Sequence, residues 1–388
     1  MRYLGGVISA VLALTSHDPA FGDSTVDYSA GIGRSSNIFQ DTSELPASFS
    51  ESRLGLRGSL DLESSHLTYR LAAGARRVGA YRFADRKSVG GEVGYAIDLS
   101  PAAKLTLKAG VEAQRDGDLF LALPGTLIGY SKTDLAANAS AGLSIEHNGG
   151  RSHLTASLAG LQHGKAHFTL PGLNPTRLDA DNALLDLTGG HIRPLFGGEA
   201  GLTLQYRDNQ VPEEDRETLE SFPARALRGS VAYGRRFGDS VTMLAELGLI
   251  HVDSPYLGDR VRRFRPYMKG QLAWQPQDGL TLTARLAQDI RLADIDDPLG
   301  EDVRTLGLSV EKALTDRLKI GFGYGQDYSD WLYYDYRTRT HALSASMTVG
   351  INQRHAFVLD FSRLLRRESD PDENFSTSVV AARITGAF

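Results

Sequence analysis

The sequence has 388 residues, 41% of them hydrophobic and 23% charged, with 41 Gly, no Cys and a formal net charge of -5. The lack of Cys excludes a disulfide framework, a thiolate metal site and a lipid anchor on Cys, and the mild acidity gives no bulk attraction to nucleic acid. Beyond the N-terminal region no stretch is apolar over the roughly 20 residues a membrane helix needs, which leaves a secreted or periplasmic protein, or a barrel that crosses a membrane with strands.

Residues 1–22 read as a secretory signal peptide. Arg2 precedes an apolar run from Leu4 to Leu14, a polar break follows at Ser16-His17-Asp18-Pro19, and Ala20-Phe21-Gly22 supplies small-x-small before a cleavage site at Asp23. Residues 23–388 then form one domain.

From there the chain alternates with period 2. Val26, Tyr28, Ala30 and Ile32 alternate with Asp27, Ser29, Gly31 and Gly33. Leu54, Leu56, Leu60 and Leu62 lead through a short link at Glu63 to His66 into Leu67, Tyr69, Leu71 and Ala73. Leu280, Leu282, Ala284 and Leu286 oppose Thr281, Thr283 and Arg285, and Leu318, Ile320, Phe322 and Tyr324 oppose Arg317, Lys319, Gly321 and Gly323. Such alternation is the pattern of strands with one apolar face.

The connections separate a soluble sandwich from a membrane barrel. Short links fall near Glu63-Ser64-Ser65, Ser100-Pro101, Asn148-Gly149-Gly150, Arg193-Pro194, Gly238-Asp239, residues 275–279, Thr315-Asp316 and Asn352-Gln353. Long polar ones fall near 34–49, 77–86, 116–130, 164–177, 208–224, 253–262, 292–302, 329–337 and 365–374. A meander with short turns at one rim and long loops at the other predicts an all-β, antiparallel up-and-down transmembrane barrel with periplasmic turns and extracellular loops. Counting strands gives about 18, or 16 if a hairpin around 178–209 stays out of the wall.

The last strand, Phe375 to Phe388, places Ser378, Val380, Ala382, Ile384, Gly386 and Phe388 on one face, and Thr377, Arg383 and Thr385 on the other. Its ending on Phe388 resembles the C-terminal signature of Gram-negative outer-membrane proteins, which the barrel-assembly machinery reads. Gly31-Ile32-Gly33-Arg34-Ser35-Ser36-Asn37-Ile38-Phe39 is similar to a Gly-rich segment followed by Asp-Asn-aliphatic-aromatic, with Ser36 in place of the Asp. On these motifs and the meander, the chain resembles an outer-membrane β-barrel porin family often encoded near exopolysaccharide gene clusters. That resemblance implies a location in the bacterial outer membrane and a transport role.

Catalytic signatures do not stand out. There is no Gly-x-Ser-x-Gly, His-Glu-x-x-His or phosphate-binding loop. His163 with His167, and His147 with His153, read as solvated polar positions, so no cofactor, metal or catalytic residue is expected and the chain is read as a non-enzyme. Tyr328, Trp331, Tyr333, Tyr334 and Tyr336 read as an aromatic girdle at the lipid headgroups. The acidic runs Glu213-Glu214-Asp215, Asp294 to Asp302 and Glu368 to Glu373 read as solvated loop charge that can also meet lipopolysaccharide through divalent cations.

The polar face of each strand supplies candidate pore-lining residues: Arg53, Arg57, Arg70, Lys104, Lys108, Arg228, Arg263, Arg265, Lys269, Arg285, Arg317, Lys319 and Arg383. The acidic residues found on that face are fewer: Asp61, Glu112, Glu246, Asp289, Asp327 and Asp360. A net basic lumen would favour anions. The expectation is therefore a porin-like channel that exports an anionic polysaccharide or passes small anionic solutes. A non-conducting structural or assembly barrel and an outer-membrane enzyme are the alternatives. The expected partners are membrane lipid and lipopolysaccharide, the barrel-assembly machinery and an anionic oligo- or polysaccharide, with no nucleic acid.

Overall fold

A computed structural model describes residues 23–388 except 124, 259–262 and 293–296. The signal peptide expected at 1–22 lies outside the described residues, as does part of the acidic run from Asp294.

Nineteen strands form one sheet. They are β1 (Asp23–Ser35), β2 (Ala47–Leu62), β3 (Ser65–Val78), β4 (Arg86–Ser100), β5 (Ala103–Leu123), β6 (Thr126–His147), β7 (Gly150–Gln162), β8 (His167–Phe168), β9 (Asn182–Leu195) and β10 (Gly198–Gln210). The second half holds β11 (Ala224–Phe237), β12 (Val241–Asp253), β13 (Arg263–Gln277), β14 (Leu280–Arg291), β15 (Glu301–Ala313), β16 (Leu318–Trp331), β17 (Arg337–Gly350), β18 (His355–Glu368) and β19 (Phe375–Ala387). Every strand pairs antiparallel with the next, except that β7 passes over the two-residue β8 to pair with β9. β19 then pairs with β1 from Asp27↔Ala387 to Ser35↔Val379, which closes an 18-strand wall and leaves no free edge. The hairpin of β9 and β10 belongs to that wall, so the 16-strand alternative falls.

Short turns and both ends of the described chain share the periplasmic rim. At Asn148-Gly149 both residues have positive φ, 49° and 72°, the geometry of a two-residue hairpin turn whose twist matches the strands. The turn expected at Arg193-Pro194 lies three residues later, at Phe196-Gly197, with φ of 50° and 74°. The long loop expected over 116–130 is instead wall: β5 and β6 run 21 and 22 residues and stay paired from Ala103↔Ile145 to Leu123↔Thr126. Its polar residues Asp116, Asp118, Lys132 and Asp134 sit on the inner face of that long hairpin, which is why the stretch looks like loop in composition.

Parity around the closed ladder separates two faces. Leu54, Leu56, Val93, Val111, Leu158, Leu202, Val231, Leu247, Leu286, Phe322, Leu343, Phe361 and Val380 point outward, and many of them are half exposed or more. This apolar surface faces lipid. The inner face at mid-height is polar and mixes small residues with long basic ones: Gly307 lies opposite Gly325, Ser309 opposite Gly323, Gly321 opposite Ser346 and Thr203 opposite Ser230, while Arg285 neighbours Gly307 and Lys108 neighbours Ser140. A Cβ on Gly323 would lie 2.5 Å from the Ser344 hydroxyl oxygen, so glycine leaves room there for the side chain on the neighbouring strand. No helix among the described residues is long and apolar enough to cross a membrane. The protein is an all-β barrel of the bacterial outer membrane, with long loops outside and short turns in the periplasm.

Candidate functional site: the extracellular mouth

The inner wall changes character at the extracellular end. β13 and β14 stay paired only up to Met268↔Gln288, yet β14 continues with β15 to Arg291↔Glu301, and β13 continues with β12 to Val252↔Arg263. Above the split, the tip of β14–β15 tucks under the inner face of β11–β13. Ile290, Leu292 and Leu299 pack with Ala224, Ala226, Ile250, Val252 and Tyr267 into a fully buried apolar cluster. The tip reaches as far as β10. The Arg207 guanidinium donates to the Ile290 carbonyl at 2.7 Å and to Asp289 at 2.8 Å, while the Asn209 amide donates to the Leu292 carbonyl at 2.7 Å.

Asp297 fastens this inward segment to the next loop. Its carboxylate is 2% exposed and accepts the backbone N–H groups of Leu299 and Gly300 at 2.9 Å, and those of Tyr333 and Tyr334 at 3.1 and 3.2 Å. Phe222 N–H donates to the Pro298 carbonyl, and Leu332 N–H to that of Gly300. Tyr333 packs against Phe222 in a tilted ring pair with centroids 5.2 Å apart, and the Tyr334 hydroxyl donates to Glu220. These two tyrosines therefore bridge loops over the mouth, whereas Tyr328 lies on the outer face as a girdle residue would. The girdle expected of the whole aromatic group is corrected to that extent. Burial, reinforced by a hydrogen bond to Glu368, pushes the Tyr336 hydroxyl up to about 12, so it remains a donor at any physiological pH.

The acidic runs are also more than solvated charge. Asp215, in the short helix α1 (Glu213–Thr218), is 1% exposed, pairs with Arg177 at 2.7 Å and accepts the Asp181 N–H at 2.9 Å, tying the 163–181 loop to the 211–223 loop. Asp302 is buried beside Gln288 and Arg265. On the opposite side of the mouth, Phe39 stacks on Phe83 beside Tyr81 over Val78 and Ala47.

These loops enclose a cavity of about 810 Å³. Arg76, Arg86, Lys132 and His163 line it together with Glu112, Asp116, Asp118, Asp134 and Asp179. Arg86 pairs with Asp116, Lys132 with Asp134 and Asp179, and His163 Nδ1 lies 3.2 Å from Asp134. His167 sits in β8 opposite Ser131, away from the cavity-lining His163, and His147 and His153 lie near the periplasmic turn opposite Gly150 and Ser144, so neither pair converges. Among the described residues no group of His, Asp and Glu is arranged to hold a metal.

The sequence-derived lumen residues separate into groups. Arg53, Arg57, Arg70, Lys104, Lys108, Lys269, Arg285 and Lys319 lie on the inner face, are exposed, and form no ion pair among the described residues. Arg228 lies over the Tyr267 ring at 4.1 Å near Asp289, Arg265 meets Asp302, and Arg383 pairs with Asp360 at 2.9 Å. Arg263 begins β13 at the mouth. Arg317 is off the wall, in the periplasmic turn before β16. The ladder also brings Asp27, Glu51, Glu92, Asp98, Asp116, Asp118, Asp134, Asp186 and Glu199 onto the inner face. Arg76, Arg86, Lys132, Arg207, Arg236 and Arg291 share that face, so with both signs included the inner charge is close to balanced and the expected excess of basic residues does not hold. Asp116 and Asp118 fall where a loop is expected, whereas Asp27, Glu92 and Asp98 lie within expected strands yet are missing from the expected set of inner acids.

Closed architecture, an apolar outer belt and a polar interior define an outer-membrane β-barrel. Solved structures agree on the fold. The siderophore receptor PirA from Acinetobacter baumannii matches with a TM-score of 0.54 at 8% identity, over 95% of this chain and 81% of that one. A mutant of the ferric enterobactin receptor PfeA from Pseudomonas aeruginosa matches with a TM-score of 0.52 at 10% identity, again over 95% and 81%. No family model and no curated protein matches the chain.

Proposed function

We propose that the protein is a porin-like passive channel for small hydrophilic solutes, whose selectivity is set at the extracellular mouth. The observation that carries this reading is the contrast along the lumen: Gly, Ser and Thr are interspersed with exposed Arg and Lys side chains at mid-barrel, where no apolar cluster forms among the described residues, while at the outer end folded loops pack across the opening. A barrel of 16–18 strands leaves room for an aqueous path. The solute chemistry follows from the charge pattern: Arg53, Arg57, Arg70 and Lys108 offer one basic tract that can guide anionic oligosaccharides below the mouth, but the balanced interior makes any anion preference weak. Export of an anionic polysaccharide would require the mouth loops to separate. Lipopolysaccharide and the barrel-assembly machinery are the partners expected of a barrel in that membrane, and nothing in the reading requires catalysis. One observation favours a second reading, a non-conducting barrel: the tucked tip of β14–β15 packs as a dry apolar core. Liposome swelling separates the two. Vesicles containing the folded barrel should swell in neutral mono- and disaccharides, and barrels that fold but leave vesicles impermeable would overturn the channel.

A further inference from the structure

The outer face of β15–β18 carries a group of arginines where the apolar belt gives way to the extracellular rim. Arg339 on β17 lies directly opposite Arg367 on β18, and the same transverse row continues through Tyr328 on β16 to Arg304 on β15. Arg363 lies two same-face positions lower on β18, below Leu365 and opposite Leu343. Parity puts all of these on the face of Leu343, Phe361 and Leu365, which are 49%, 42% and 38% exposed. Arg339, Arg363 and Arg367 are exposed and form no ion pair with any described residue. The acids nearby are already engaged: Asp330 and Asp335 with Arg337, and Asp302 with Arg265 and Arg304. Arg339 donates only to the neutral Gln326, at 3.5 Å. Like charges directly opposite across two strands repel, at a Cβ separation of about 5 Å, and an anion between the guanidinium groups would turn that repulsion into attraction.

We propose that this surface is a headgroup site for a phosphorylated lipid of the outer leaflet. The acyl chains lie on Leu343 and Phe361, and a phosphate bridges Arg339 and Arg367, with Arg363 reaching a second phosphate or a lower oxygen of the same headgroup. Guanidinium suits this role because its planar fork donates two parallel hydrogen bonds to phosphate oxygens and it sheds water more readily than an ammonium. The proposal rests on the lipid-facing wall alone and stands whether or not the lumen conducts.

The folded barrel in neutral detergent can be titrated with a bisphosphorylated disaccharide lipid (lipid A), with phosphatidylethanolamine and with inorganic phosphate, reading bound lipid by native mass spectrometry. Lipid A should bind the wild type, and the Arg339→Gln/Arg367→Gln double variant should bind it at least roughly tenfold more weakly, the loss of two charge-assisted contacts. Arg367→Glu places a carboxylate opposite Arg339; it should keep the heat-modifiable folded band while losing the lipid, which distinguishes a lost site from a lost fold. Retained binding in both variants, or equal displacement of lipid A by inorganic phosphate at matched phosphate concentration, would overturn the assignment.

Discussion

Asp297→Ala is expected to release the inward tip of β14–β15. The substitution removes one buried carboxylate that accepts four backbone N–H groups, two in its own loop and two in the 332–336 loop, and leaves those donors without a partner. A hydrogen bond to a charged group is worth about 1.5–3 kcal/mol, but four sharing one acceptor are not additive, and the side chain left behind can admit water; about 3–4 kcal/mol is the expected local cost. At about 1.4 kcal/mol per factor of ten, the opening equilibrium of the clamp shifts by roughly 10²–10³. Hydrogen exchange of the Leu299, Gly300, Tyr333 and Tyr334 amides should accelerate by that factor, while wall amides of β16 and β17 below Asp327 stay protected. Asp297→Asn keeps one acceptor oxygen and should loosen Tyr333 and Tyr334 more than Leu299 and Gly300. An acceleration below tenfold at all four amides would refute the clamp.

Other outcomes follow from the same geometry. Asp215→Ala leaves Arg177 with Asp181 as its one remaining carboxylate partner, at 2.9 Å, and removes the acceptor for the Asp181 N–H; a local loss of about 2 kcal/mol should expose 163–181 to limited proteolysis with the barrel intact. Removing Phe388 deletes both of its backbone hydrogen bonds to Val26 and its ring stack on Tyr28 at 5.6 Å, so the fraction of heat-modifiable, assembled barrel should fall; an unchanged band would count against the seam argument. An epitope inserted at Asp370 should be labelled on intact cells, whereas one between Asn148 and Gly149 should be labelled only after the outer membrane is opened. The reverse pattern would invert the topology.

The wall was legible because every strand obeys one period and one apolar face, and because Asn148-Gly149, Gly238 and Gly279 announce their turns with residues that accept positive φ. Composition misled where polar residues line an inner wall, as in Asp116 and Lys132, since a lumen-facing polar residue and a loop residue look alike in sequence. The mouth was harder still. Asp297-Pro298-Leu299-Gly300 carries a turn signal, but nothing local says that the turn folds inward, because that follows from Ile290 and Leu292 meeting Ile250 and Val252 on strands 40 residues away in sequence. Likewise Asp215 reads as one of three exposed acids until Arg177 is brought beside it by the fold.

Side-resolved polymer exclusion in planar bilayers bears most directly on a lumen that is wide at mid-membrane and narrowed at the extracellular end. With single barrels inserted in one orientation, neutral polyethylene glycols of graded size are added to one side at a time and the conductance is followed. Polymers entering from the periplasmic side should lower conductance up to a larger size than those entering from the extracellular side, and Asp297→Ala should shrink that difference. Equal cut-offs from the two sides, or a folded barrel with no conductance at all, would contradict it.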